Sequence, residues 1–308
     1  MKIKKYLWGF AVASLALTAC GDDDSFDPSA QAPEPPVPDV VPEPPTIKPK
    51  AMWIDAHANF ELLSKAANID AQLDKIKQYG YNMIYLDVKP GNGYALYDSD
   101  ILPPCNTFGT QTVTRDYDDY LGYFLQKCEE LEIDVIASIG ATGFGHGAGV
   151  NQGYVFDNWS QWGDKCQIRS VEGDPDKTVS VADDPQQAVV MLTPSSLEVQ
   201  DLIVSICSEV VTKYPKIKGI SLDYLRYCNN DGGWYGLGPI DLQGYAEYWG
   251  ESVPERTEIV TATGGVGPKF AKWIEFRSMK VTETIQRIRN TVKAINPDCE
   301  IHLRDSAG

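Results

Sequence analysis

Lys218-Gly219-Ile220-Ser221-Leu222-Asp223-Tyr224-Leu225-Arg226-Tyr227 is the stretch that decides the fold. Side chains of an extended chain alternate faces, so Ile220 and Leu222 point one way, and Ser221 and Asp223 the other. The apolar pair suits a covering layer of helices. The polar pair suits an interior that holds a site. Upstream, Ser195 or Ser196 caps a helix reaching about Tyr214, with Leu197, Ile203, Val204, Cys207 and Val210 on its apolar side. Downstream, Phe270 to Ile295 reads as a long helix and Glu300 to Arg304 as a final strand. Toward the amino terminus, Met52 to Ala56, Asn82 to Val88 and Asp134 to Gly140 read as strands. Ile69 to Tyr79 and Tyr117 to Leu131 read as helices, the second with Asp116 at its N-cap. Five strands alternating with four helices imply an α/β protein with a parallel sheet. Two long connections, about 141–194 and 228–268, both follow strands and so emerge on the functional side of such a sheet.

The same parity applied to the other strands groups Trp53 with Asp55 and His57, and Tyr85 with Asp87 and Lys89. Asp55, Asp87 and Asp223 therefore stand near three strand ends, all pointing inward. A buried carboxylate is costly without a partner or a task. Three on matched parity predict a polar pocket. Asp55-Ala56-His57 also resembles the opening metal motif of amidohydrolase-like enzymes, but three histidines in the whole chain are few for such a site. No metal or cofactor is expected. The glycine-rich 140–147 segment matches neither phosphate-binding pattern, and His57 reads as a hydrogen-bonding group of the pocket.

The chain carries 27 Lys+Arg against 43 Asp+Glu, a net charge of −16, of which −14 falls on residues 51–308. An acidic body disfavours nucleic acid and polyanionic substrates, and favours a neutral partner. Residues 1–20 have a basic start (Lys2, Lys4, Lys5) and an apolar run from Tyr6 to Leu17 too short to span a bilayer. They end Leu17-Thr18-Ala19-Cys20, which resembles the bacterial lipobox and makes Cys20 the lipidated residue. The acidic Gly21-Asp22-Asp23-Asp24 resembles the surface-export signal of Bacteroidota lipoproteins. A lipid anchor in the outer membrane, facing the cell surface or else the periplasm, is the expected location. Residues 21–50 read as an acidic, proline-rich tether. Of the six remaining cysteines, Cys128 and Cys207 fall inside predicted helices, where a buried free thiol is expected. Cys105, Cys166 and Cys228 fall in loops, where export permits disulfides.

The decisive stretch resembles the strand-four signature of the glycosyl hydrolase-like 10 family, D-G-[IF]-x-[LF]-D-Y-x-R-Y-P, with Lys218 and Cys228 as departures. Gly80 to Pro90, Leu192-Thr193-Pro194 with Glu198-Val199-Gln200, and Trp273 to Arg277 resemble further segments of that family. The similarity covers roughly residues 51–300, and exported "alpha-amylase family" lipoproteins of Bacteroidota look most alike. The resemblance implies a TIM-type (β/α)8 barrel and action on glycosidic bonds, which takes two carboxyl groups. It makes Asp223 the expected nucleophile or base. A cation such as Arg226 favours the charged form of a carboxylate, although Arg226 could equally pair with a loop acid. Asp305, at the end of strand five, is the expected acid, and Asp87 the runner-up. Lys89 beside Asp87 would keep that carboxyl ionised and fit it better for binding. Trp53, Asp55, His57, Lys89, Tyr94, Tyr224, Arg226 and Tyr227 are the expected substrate contacts. Tyr97, Phe144, Tyr154, Trp159, Trp162, Trp234 and Tyr235 lie in or next to the strand-end loops, where rings stack on sugars.

Only five β/α units are legible where such a barrel has eight. Residues 51–308 are thus expected to be an incomplete, C-terminally truncated barrel. A glycoside hydrolase acting on a neutral poly- or oligosaccharide is the first reading. The alternatives are a non-catalytic glycan-binding lipoprotein and an inactive truncated barrel.

Overall fold

The computed structural model describes residues 48–230 and 233–304. The segments expected to be a signal and a tether, up to residue 47, together with Cys20 and Asp305, lie outside the described residues. Five strands form one wholly parallel sheet: β1 (Ala51–Ile54), β2 (Met83–Lys89), β3 (Asp134–Gly140), β4 (Gly219–Asp223) and β5 (Glu300–Leu303). Their order in space is their order in the chain. The crossovers carry α1 (Ala66–Gln78), α2 (Tyr120–Glu130), α3 (Leu197–Lys213) and, before β5, α4 (Pro239–Trp249) and α5 (Phe270–Ile295).

Strand order without reversal has a consequence. Right-handed crossovers that always step the same way lay every helix on the same face. A doubly wound sheet, by contrast, reverses direction and is covered on both faces. The packing agrees: Ile84, Leu86, Val135, Ala137, Ile139, Ile220 and Leu222 are buried together with Ile69, Leu73, Leu121, Phe124, Val199, Ile203 and Ile288 of the helices. Each of these side chains larger than alanine stabilises the fold by roughly 1.5–3 kcal/mol. The opposite face carries Trp53, Tyr85, Asp87, Ser138, Ser221, Asp223 and His302, in register across the strands. Among the described residues the sheet does not close, and β1 and β5 are its edges.

Ser196 caps α3, accepting from the Val199 N–H at 3.4 Å. Asp116 does not cap α2, which begins at Tyr120 with Asp119 at its N-cap. The Asp116 carboxylate accepts instead from the Ala66 N–H, 2.8 Å away, at the start of α1. The two long connections are built, not loose. The first holds the hairpin Ile168–Val171/Asp174–Ser180 and the antiparallel pair Gly143–His146/Val189–Met191. The second supplies α4 and, with Trp273 and Phe276 of α5, builds a satellite core with Leu237, Leu242, Tyr245, Ile259 and Val260. All six described cysteines are buried and free, so Cys105, Cys166 and Cys228 form no disulfide.

Candidate active site

The strand ends of the uncovered face border a cleft of about 440 Å³, lined by Trp53, Asp55, His57, Asp87, Ser138, Tyr224, Asp223, Arg226 and Arg304 among others. β4 stops where Tyr224 turns to a left-handed φ of +55°, a conformation that costs a side-chain-bearing residue energy. The turn is held by bonds from neighbouring strands. The Thr142 hydroxyl donates to the Tyr224 carbonyl, and the Ala141 N–H donates to the Asp223 carbonyl at 2.7 Å. The Tyr224 N–H donates to Asp223 Oδ1 at 2.8 Å. Backbone strain of this kind collects at functional sites.

Asp223 lies between two guanidinium groups. Arg304 Nη1 is 3.1 Å from Oδ2, and Arg226 Nη1 is 3.7 Å from Oδ1. The Arg304 guanidinium also covers the Trp53 ring, 3.9 Å from its centroid, and Trp53 stacks on Tyr85 at 5.7 Å. Arg304 reaches Asp223 because Leu303 pairs with Leu222 in the sheet.

Asp87 has a different environment. Burial pushes its carboxyl up to about 6, against opposing hydrogen bonds from the Ala56 N–H and the Ser138 and Trp53 side chains, with the Asp55 charge adding to the rise. Lys89 does not hold it ionised. The β2–β3 register slips between Asp87 and Lys89, pairing Asp87 with Ser138 and Lys89 with Ile139. The bulge therefore turns the Lys89 side chain away from Asp87 toward the helix side, although Lys89 still borders the cleft. There its ammonium is fully buried, donates to the Gly140 and Gly143 carbonyls and lies 3.6 Å from the Phe144 ring centroid. Burial drives that amine well below its ordinary range.

His57 stacks on Phe108 at 4.0 Å, and His146 packs against Phe108 at 4.9 Å, so three rings edge the cleft. Burial lowers the His146 pKa, and its Nε2 has no partner. Asp55 accepts from the Ala58 N–H at 2.8 Å in the turn after β1. Among the described residues no three His, Cys, Asp or Glu side chains are placed to share a metal ion.

Two expected contacts lie elsewhere. Tyr94 donates to Asp157 at 2.6 Å, and Tyr227 is buried with its hydroxyl 2.7 Å from Ser195 Oγ. Tyr227 belongs to a buried polar cluster. Thr193 donates to Asp241, and Arg277 lies 4.3 Å from both the Tyr227 and Trp273 ring centroids. Burial brings the Arg277 guanidinium down to about 10 and raises the Asp241 carboxyl. The Thr193, Tyr227, Trp273 and Arg277 positions of the sequence motifs thus hold the satellite core to the sheet. Tyr97, Phe144, Trp162 and Tyr235 are likewise core residues. Of the loop aromatics named from sequence, Trp53 lines the cleft. Ser138 and Arg304 were within reach of the parity argument; Phe108 and His146 come from loops and gave no such signal.

These motif positions sit in one frame, and the whole described region matches the model of glycosyl hydrolase-like 10 over residues 48–306. The chain belongs to the glycosyl hydrolase-like 10 family. No curated protein matches its sequence. Among solved structures it is similar to alpha-L-fucosidase isoenzyme 2 from Paenibacillus thiaminolyticus, with a TM-score of 0.54 and 15% identity over 84% of this chain. It spans only 32% of that protein, so the likeness is one of fold. A hypothetical protein from Ruminiclostridium thermocellum follows, with a TM-score of 0.46 and 14% identity, over 82% of this chain and 96% of that one. A structure of the pneumococcal virulence factor StrH gives 0.45 and 13%, over 83% of this chain and 52% of that one.

Proposed function

We propose that this family member is a glycoside hydrolase acting on a neutral poly- or oligosaccharide, with Asp223 as nucleophile or base and Asp87 as general acid. One observation carries the reading: two carboxyl groups of one cleft have opposite surroundings. Asp223 has two guanidinium neighbours, the company a charged carboxylate recruits. Asp87 is buried and pushed up to about 6, as a proton donor near neutrality requires. Asp87 would give its proton to the leaving glycosidic oxygen as the anomeric C–O bond breaks. Asp223 would attack the anomeric carbon or take a proton from the attacking water. The net acidity of the chain suits a neutral glycan.

The same reading takes the sheet as five units of a TIM-type (β/α)8 barrel, whose strand ends carry the site. It takes Cys20 as the anchor of an outer-membrane lipoprotein. Palmitate labelling that is lost in Cys20→Ser would support the anchor.

Strand geometry bears on stereochemistry. Asp87 pairs with Ser138 and Asp223 with Gly140, on opposite sides of β3. Two strand spacings and two residues of rise put their Cα atoms roughly 12 Å apart. Side chains leaning toward each other across that span reach the roughly 5–5.5 Å of a retaining pair, and upright ones the roughly 6.5–9.5 Å of an inverting pair. On a panel of neutral oligosaccharides, Asp223→Asn is expected to lower turnover by about 10²–10⁴-fold. The first product anomer, followed by NMR, is expected to be retained if Asp223 is the nucleophile and inverted if it is the base. Glycan binding without turnover in the unaltered chain would refute the enzymatic reading in favour of a binding module.

A further inference from the structure

We propose that Trp53 is a positioning residue, not a sugar platform: its indole N–H holds Asp87 while its ring seats Arg304 on Asp223. The role rests on the reading of those two carboxyls as acid and as nucleophile or base, and gives that reading its scaffold. Trp53 stands on β1 and Arg304 directly after β5, the two edges of a sheet that does not close among the described residues. Yet the Arg304 guanidinium lies 3.9 Å from the Trp53 ring centroid. The sheet is therefore curled until its edges meet through side chains. A second contact agrees: the Tyr85 hydroxyl of β2 is 2.7 Å from Nδ1 of His302 on β5. In a closed barrel the strand ladder fixes the curvature. Here these side-chain contacts span the interior instead.

The Trp53 contact also joins the carboxyls. Indole has one polar hydrogen, on Nε1, and Trp53 directs it to Asp87. Its ring holds the Arg304 cation over one face, and the Tyr85 ring lies parallel to it at 5.7 Å. Arg304 Nη1 in turn donates to Asp223 Oδ2 at 3.1 Å. Asp87, Trp53, Arg304 and Asp223 thus form one continuous chain of contacts, and the spacing of the two carboxyls depends on the indole. A sugar could stack on the face under Arg304 only by displacing that guanidinium from Asp223. The groups that interact with Asp87 through charge are Asp55 after β1, Tyr120 of α2 and Tyr224 after β4, and burial keeps both phenols neutral past neutrality. The cleft also holds His57, His146, Lys89, Asp223, Arg226 and Arg304. All of these are common to variants that change Trp53 alone.

Carbon NMR of the side-chain carboxyls in the full chain reads the first link without any substrate. Trp53→Phe keeps an aromatic face but lacks the N–H. In it the Asp87 titration midpoint is expected to rise by about one pH unit, because a donor to the ionised carboxylate is gone. Trp53→Leu removes the face as well. There the Arg304 Nε–H resonance is expected to lose the ring-current displacement that an adjacent indole imposes. With neutral oligosaccharides as substrates, Trp53→Leu is expected to lower kcat by about 10²-fold, the effect of misplacing reacting groups by about 1 Å, and to leave KM within about twofold. Loss of a sugar platform would instead raise KM and keep kcat. The Trp53→Phe arm stands even where Trp53→Leu does not fold. The proposal is overturned if the Asp87 midpoint stays put in Trp53→Phe, if the Arg304 resonance is unmoved in Trp53→Leu, or if KM rises alone. Absence of turnover in the unaltered chain would sink the glycosidase reading and leave the two NMR results to decide the bridge.

Discussion

Asp87 shows how one residue couples stability to chemistry. Its carboxyl titrates near 6 in the folded chain, against 3.8 for a free aspartate. Between about pH 4 and 6 the folded state keeps a proton that the unfolded chain has released. Stability therefore falls as the pH rises through that window, and above it the cost of the buried charge is fully present. Asp87→Asn removes the charge at nearly constant shape. It is expected to stabilise the protein by about 2 kcal/mol at pH 7.5, and by much less at pH 4.5, in urea unfolding. The same substitution is expected to remove the proton donor. On the proposed glycosidase reading, kcat of the unaltered protein is expected to decline as the pH passes about 6, and in Asp87→Asn this alkaline limb should vanish with about 10²–10⁴-fold of the rate. A limb that persists in Asp87→Asn would assign the acid to another group. The identity of Asp87 as an inward carboxylate was legible from strand parity. Its protonation was not, because period two cannot reveal a bulge, and the bulge is what takes Lys89 away from it.

At the scale of elements, the end of β4 carries most of the site. Tyr224 holds φ at +55° with an ordinary side chain, where glycine alone escapes the steric cost. Replacing the tyrosine loses its ring contacts in either variant, so the informative comparison is between two small residues. Tyr224→Gly is expected to be more stable than Tyr224→Ala by about 1 kcal/mol, the reverse of their usual order, as read from denaturant midpoints. An alanine variant as stable as the glycine one would mean that the backbone relaxes once the ring is gone. Elements whose cause is local were readable from sequence: the Ser196 cap of α3 and the full extent of α5 follow from nearby residues. The start of α2 was not, because Asp116 looks like a cap in sequence but bonds across to α1. The antiparallel pairs of the first long connection were also not legible. One pair joins segments about 40 residues apart, and the other, though closed locally by Gly173, carries no apolar alternation to mark its strands.

For the whole molecule, strand order equal to chain order explains why one face is apolar under helices and the other is left polar for a site. That much follows from alternation in the sequence. The loop aromatics gave a less faithful signal, because the long connections fold on cores of their own and consume most of those rings. The cysteines follow the same logic of burial. Cys105, Cys128, Cys166, Cys207, Cys228 and Cys299 are each at most 3% exposed. Burial pushes the Cys105 thiol up to about 11, and those of Cys128, Cys166, Cys207 and Cys228 up to about 12. A thiol reacts as its thiolate, and these are both hidden and protonated at neutral pH. With Cys20 replaced by serine, the native protein is therefore expected to resist an aromatic disulfide reagent at pH 8, and all six remaining thiols should react once guanidinium unfolds it. Reductant should leave the melting temperature unchanged, since the fold contains no bridge among these six. A shortfall in the unfolded count that reductant restores would mean that two of them pair under oxidising conditions, with the paired loops drawn out of their present cores.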